Sequence, residues 1–213
     1  MSELLDIILH LDVHLVAWVE AYGVWIYAIL FAIIFSETGF VVTPFLPGDS
    51  LLFVAGAIAA TGAMNVHLLA ALLIAAAILG NSVNYAIGRW LGKTFFRDRG
   101  SKWLNPAHLD KAHAFYERHG GKAIVISRFL PIVRTYVPFV AGLGGMHAAR
   151  YTAYNVAGGV LWVASLCYAG YFFGNIPWVK KNLTLIIVGI ILVSVVPVAW
   201  AWLKSRGAAK SAA

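Results

Sequence analysis

Mostly apolar stretches free of Asp, Glu, Lys and Arg run over 66–88, 152–173 and 182–203, and the first of these alone is 23 residues long. A helix of about 20 apolar residues crosses a bilayer core, so each stretch predicts a full transmembrane helix. Residues 3–20 follow another pattern. At about 100° per residue, Leu4, Ile8, Leu11, Leu15 and Trp18 share one face, while Asp6, His10, His14 and Glu20 share the other, with Asp12 the exception. That arrangement predicts an N-terminal amphipathic helix lying in the membrane interface, with a short first span as the competing reading. Between Ala21 and Gly88 the only formal charges are Glu37 and Asp49. The apolar stretch before Glu37, 24–35, has 12 residues, or about 18 Å of helix. It is too short for a hydrocarbon core of about 30 Å. The stretch after Asp49, 51–60, is shorter still. Between them the chain reads ETGFVVTPFLPGD, with breaks at Pro44, Pro47 and Gly48. Residues 123–147 are also apolar, yet they hold Arg128, Pro131, Arg134, Pro138 and Gly142. Both segments predict re-entrant helical hairpins, whose irregular backbone survives at membrane depth when buried in protein or lining a wet cavity.

The expected fold class is an all-α polytopic membrane protein forming a single membrane domain over 1–213. Its parts are the interfacial helix at 1–20, a first repeat at 21–88, a polar loop at 89–122, a second repeat at 123–175, the last transmembrane helix at 182–203 and a basic tail at 204–213. Composition supports the class. Of the 213 residues, 61% are hydrophobic and 12% charged, against roughly 45–50% and about 25% in soluble domains. The mean hydropathy is +0.80. A soluble domain of this size could not hide that much apolar surface.

Sixteen Lys and Arg against nine Asp and Glu give a net charge of +7. Nucleic-acid binding would gather this excess into a stripe with interleaved aromatics. Here it lies between apolar runs. The 89–122 loop holds eight Lys/Arg and three Asp/Glu, and the tail adds Lys204, Arg206 and Lys210. The positive-inside rule places loop and tail in the cytoplasm, and two spans joining them agree in parity. The first hairpin then enters from outside and the second from inside. The acidic N-terminus (Glu3, Asp6, Asp12), with no basic region ahead of the first apolar run, predicts no cleavable leader. The single cysteine, Cys167, forms no internal disulfide.

The two halves share a residue order. Phe45-Leu46-Pro47 precedes Phe53-Val54-Ala55-Gly56, as Phe129-Leu130-Pro131 precedes Phe139-Val140-Ala141-Gly142. Gly62-Ala63-Met64 and Gly144-Gly145-Met146 then open spans that end in Gly88-x-x-x-Gly92 and Gly170-x-x-x-Gly174. With opposed hairpins the repeat is inverted, the plan by which secondary transporters bring broken helices together near the midplane. The small residues of GxxxG suit close helix approach.

Glu37, Asp49, Arg128 and Arg134 carry the functional expectation. An isolated charge at the centre of a membrane helix costs about 2.5–3.5 kcal/mol. Four unpaired charges would therefore rival a protein's whole stability. They must pair across the repeats, line a hydrated cavity, or both. Arg128 and Arg134 form a fork-shaped donor set for a substrate phosphate. Glu37 and Asp49 are the proton-coupling carboxylates. The competing reading is a fixed salt-bridge lattice that only locks the hairpins. Asn81, Ser82, Asn84 and Tyr85 put polar groups inside a span, where hydrogen bonds to the hairpins outrank a place on the pathway. His10/His14 and His108/His113/His119 are surface histidines. No metal, cofactor or catalytic residue is expected, and no P-loop, paired phosphatase histidines or serine elbow occurs, so the chain is not expected to be an enzyme.

Glu37, then Pro44-Phe45-Leu46-Pro47-Gly48-Asp49-Ser50, then Arg128-Phe129-Leu130-Pro131-Ile132-Val133-Arg134 with Ala141-Gly142 behind it, resemble the DedA family, the VTT or SNARE-associated domain family. The resemblance covers about residues 20–175. It implies a bacterial inner-membrane protein with opposed re-entrant hairpins that moves undecaprenyl phosphate across the membrane. Other members imply phospholipid scrambling or proton-dependent antiport. It further implies that Glu37, Asp49, Arg128 and Arg134 are functionally required. The resulting expectation is a proton-coupled translocase of a lipid phosphate. The alternatives are a proton-coupled transporter of small ions or solutes and a general phospholipid scramblase. The expected partners are the lipid phosphate, membrane lipids and protons, with homo-oligomerisation left open and nucleic acid excluded.

Overall fold

In the computed structural model, residues 11–40, 48–97, 121–182, 185, 186 and 189 are described. Every regular element among them is helical. Helix α1 (Leu11–Tyr22) leads through a 3-10 turn (Gly23–Trp25) into α2 (Ile26–Gly39). Then follow α3 (Gly48–Ala59), α4 (Val66–Arg97), α5 (Lys122–Ser127), α6 (Pro131–Leu143), α7 (Ala148–Phe173) and α8 (Pro177–Lys181). Pro44 and Pro47, most of the polar loop, the tail and nearly all of the expected 182–203 span lie outside the described residues.

Among the described residues three segments are long and apolar enough to cross a membrane: His14–Gly39, Val66–Gly92 and Ala148–Phe173. The first corrects an expectation. The sequence pattern made 24–35 a half-length apolar stretch. The structure joins it to α1 through the 3-10 turn, where Gly23 takes a left-handed φ of 52° that only glycine adopts cheaply, so the helices on both sides of the turn together reach spanning length. Leu15 is fully buried, and Trp18 and Val19 pack on the core, so this face of α1 meets protein. A second correction concerns α4. It continues past Gly88 to Arg97, so the polar loop begins inside a 32-residue helix. At Gly88 the pattern turns polar while the residues remain good helix formers, and a composition boundary is not a helix boundary.

Helix α3 has only 12 residues, yet eleven are buried. It lies against α7, while α6 lies against α4. The contacts exchange partners between the two halves. A Cβ on Gly56 would strike the carbonyl of Cys167, and one on Gly170 the carbonyl of Phe53. Likewise a Cβ on Gly142 would strike the carbonyl of Tyr85, and one on Gly88 that of Phe139. Small residues here let backbones touch. The turns before α4 and α7 also match: Gly62 and Gly145 take φ of 88° and 72°, and Met64 and Met146 just beyond them are buried.

The main apolar core joins Ile26, Leu30 and Ile34 of α2, Leu51 to Ala59 of α3, Leu69 and Leu73 of α4, and Trp162, Val163 and Cys167 of α7. A smaller cluster around Tyr85, Ile124, Ala141 and Tyr151 packs the other end.

Candidate functional site

The four charged residues reach the interior from four different helices or their ends. Glu37 closes α2, Asp49 opens α3, Arg128 follows α5 and Arg134 sits in the first turns of α6. The chain breaks between α5 and α6 at 128–130, where Leu130 is extended (φ −119°, ψ 101°) and Pro131 starts the next helix. Proline at a first helical position gives up only an N–H that has no intrahelical partner. Pro138, expected as a break, instead lies inside α6. A proline there has no N–H for the carbonyl of Arg134, and the buried packing of α6 on α4 holds the helix through it. Gly142, also expected as a break, is the contact point with Tyr85.

Arg134 is 3% exposed and is forked between the two acids. Nη1 donates to Asp49 Oδ1 at 2.9 Å, and Nη2 donates to Glu37 Oε1. Gly48, expected as a break, contributes its N–H to that same Glu37 oxygen at 3.2 Å. Glu37 is completely buried. A pair from the two halves is therefore present, as expected, but it is a triad of two acids and one arginine.

Arg128 does not join it. It is 1% exposed. Its partners among the described residues are neutral: Asn155 Oδ1 at 2.5 Å, the Asn155 carbonyl at 3.3 Å and the Ala77 carbonyl at 3.4 Å. With its amide turned to suit both neighbours, Asn81 donates to the Thr38 carbonyl (3.2 Å) and accepts from Arg128 (3.1 Å). Gly158 and Gly159 leave room beside the Arg128 side chain. Asn155 is anchored in turn by the Ile78 carbonyl at 3.0 Å and Ser82 Oγ at 3.1 Å. Asn84 donates to the carbonyls of Thr135 (2.8 Å) and Thr38 (3.4 Å). These polar residues of α4 thus bind the breaks, as the sequence suggested.

Trp162 was not singled out by sequence. Its Nε1–H donates to Asp49 Oδ1 at 2.7 Å. Its ring lies under Arg134 (5.1 Å to the centroid) and Arg128 (6.0 Å). Asn155 was missed as well; a lone Asn before Gly158-Gly159 in an apolar span was its signal. Glu37 Oε2, Ser50 Oγ and the Nε atoms of Arg128 and Arg134 are buried with no hydrogen-bond partner among the described residues. Among the described residues no cluster of three His, Cys, Asp or Glu could hold a metal ion.

A family model described as the VTT domain matches residues 46–172. Over 212 residues the chain is 57% identical to the protein DedA of Escherichia coli K12, covering 99% of this chain and 97% of that one. The chain belongs to the VTT-domain, or DedA, family. It is also 43% identical over 155 residues to the inner membrane protein YqjA of Escherichia coli K12, covering 71% of this chain and 69% of that one. An uncharacterized membrane protein of Mycobacterium leprae is 39% identical over 195 residues, covering 89% of this chain and 87% of that one. No solved structure matches. This VTT-domain chain is an integral membrane protein. The domain match takes in Asp49, Arg128, Arg134 and Trp162, whereas Glu37 lies ahead of it.

Proposed function

We propose that this DedA-family protein is a transporter, not an enzyme, that moves a lipid phosphate across a bacterial inner membrane in a proton-coupled cycle. Undecaprenyl phosphate is the first substrate to test and related phospholipids the next. The observation that carries the reading is Arg134 forked between Glu37 and Asp49 beside a buried Arg128 whose partners among the described residues are neutral.

The charges explain the coupling. One guanidinium cannot neutralise two carboxylates, so the triad is anionic with both ionised and neutral with one proton. Arg128 meanwhile is a buried cation whose hydrogen bonds bring no countercharge, and such a cation favours an anion beside it. A phosphate entering next to Arg128 supplies that charge. Protons on Glu37 and Asp49 release Arg134, whose fork then closes on the phosphate in charge-assisted hydrogen bonds. The partnerless Nε atoms of both arginines offer further donors. Loss of the protons restores the triad and ejects the anion. A ligand biases alternating access only through such unequal affinity for two states.

The scaffold in this reading is an inverted repeat with two re-entrant hairpins. Support comes from the exchanged glycine contacts and from α3, a helix too short to span yet buried along its length. The hairpins place the headgroup at depth while the tail stays in lipid. The basic loop and C-terminus are cytoplasmic by the positive-inside rule. The name of the relative YqjA supports the inner membrane.

The test is flux of labelled undecaprenyl phosphate into or out of proteoliposomes under an imposed pH gradient. Wild type should translocate it in a gradient-dependent way, and Arg128→Ala and Arg134→Ala should lower the rate at least tenfold. Unchanged flux in both variants, purified as monodisperse protein, overturns the reading. Small-ion flux without lipid flux would favour the soluble-solute alternative.

A further inference from the structure

We infer that Trp162 is a positioning residue that ties the Asp49 carboxyl to both arginines of the site. Trp162 touches three of the four charged side chains, through two separate parts of its ring system. The pyrrole N–H binds Asp49 Oδ1 at 2.7 Å, the same oxygen that Arg134 Nη1 reaches at 2.9 Å. The π face lies under Arg134 at 5.1 Å and Arg128 at 6.0 Å. A guanidinium within about 6 Å of an indole centroid is held by the ring quadrupole, more strongly when desolvated. Trp162 is 1% exposed, so this is no interface anchor. A tryptophan that only filled space would not need its N–H on a carboxylate, and leucine would pack the core without a polar atom to satisfy.

The linkage has a chemical consequence. While Asp49 is ionised, its Oδ1 accepts from both indole and guanidinium, and the ring, Arg134 and the carboxylate hold one another in place. A proton on Asp49 weakens both hydrogen bonds. Arg134 then leaves the acid but keeps its ring contact, and Arg128 shares the same ring. The ring therefore remains a common contact of the two guanidiniums after the acid has let go. The linkage stands on these contacts alone, and its effect on flux rests on the transport reading.

The test uses the full chain in lipid nanodiscs. The infrared carbonyl band of protonated Asp49 is assigned by its loss in Asp49→Asn and followed against pH. Two changes remove the N–H. Trp162→Phe also trims the ring, whereas benzothienylalanine placed at 162 by nonsense suppression keeps the bicyclic ring. The N–H donor favours the ionised carboxylate, so without it the band should develop at about tenfold lower proton concentration, in keeping with one hydrogen bond to a charged group. A band unmoved in both variants overturns the inference and leaves the residue a packing element. The same shift in the pH profile of lipid-phosphate flux would support both readings. A shifted band in a protein with no lipid flux in wild type would uphold the linkage and count against the transport reading.

Discussion

Arg134 donates to Glu37 across 97 positions of sequence, and the Glu37 side chain has no solvent contact. A second carboxylate, Asp49, shares that guanidinium from another helix. Three helices are thus joined at one buried cation. Removing one partner of a buried pair costs more than removing the whole set, because the remainder is an uncompensated charge.

Arg134→Ala should therefore destabilise the protein by about 3–5 kcal/mol. Adding Glu37→Gln and Asp49→Asn to it should recover most of the loss. The measurement is the midpoint of heat-induced loss of monodisperse protein in detergent. Arg134→Lys should recover little, since a single ammonium lacks the planar fork that reaches two acids at once. Additive costs for the three changes would show that the triad is not a unit.

Gly48→Ala tests the fit around Glu37. A Cβ on Gly48 would overlap the Glu37 carboxylate, and that carboxylate is pinned by Arg134 and by the Gly48 N–H. The side chain cannot swing away without giving up its ion pair. The expected cost is about 1–3 kcal/mol, typical of overpacking. It should disappear in a Glu37→Ala background, where the space is open. An equal cost in both backgrounds would trace the effect to the backbone and not to Glu37.

Much of this was legible in the chain, for reasons that differ from residue to residue. Glu37 and Arg134 stood out because a charge inside an apolar run must find a partner, and each found the other. The short helix α3 was visible from the length of its apolar stretch alone. Trp162 was not, because tryptophan serves membrane proteins mainly as an interface anchor, and only the fold decides which tryptophan faces a carboxylate. Asn155 was hidden similarly: its partner Arg128 is 27 positions away in sequence. The division of labour between the arginines was equally invisible. Pattern gives both the same setting, whereas packing gives Arg134 two acids and Arg128 an amide. The reach of α4 to Arg97 was missed because hydropathy reports the membrane boundary and not the helix end.

Asn155→Leu tests that amide. Asn155 supplies Arg128 with its shortest contact, 2.5 Å, and holds Ser82 and the Ile78 carbonyl in turn. The leucine would strip one partner from a buried cation and leave Ser82 without its donor, at a cost of about 1–3 kcal/mol. Asn155→Asp gives Arg128 a carboxylate, which offsets the amide donor lost to the Ile78 carbonyl and Ser82, so it should cost less than the leucine. In the transport reading it should also lower lipid-phosphate flux, since the new carboxylate occupies the charge that the substrate would answer. Loss of flux in a variant that still purifies as folded, monodisperse protein is the expected signature. Retained flux would remove Arg128 from the substrate's path.

The exchanged helix contacts make the last prediction. Gly170 on α7 meets the backbone of Phe53, and Gly56 on α3 meets that of Cys167; Gly88 on α4 meets Phe139, and Gly142 on α6 meets Tyr85. In each case the obstacle to a Cβ is a carbonyl, which cannot rotate aside as a side chain can. Gly→Ala at any of the four should therefore push two helices apart, despite alanine's better helix propensity of about 1 kcal/mol. Because Gly56 and Gly170 share one interface, their double substitution should cost less than the sum of the two. Gly88 and Gly170 lie in different interfaces, so theirs should add. If the Gly88 and Gly170 changes instead prove strongly coupled, the two interfaces do not pack independently, and the exchanged-pair description fails.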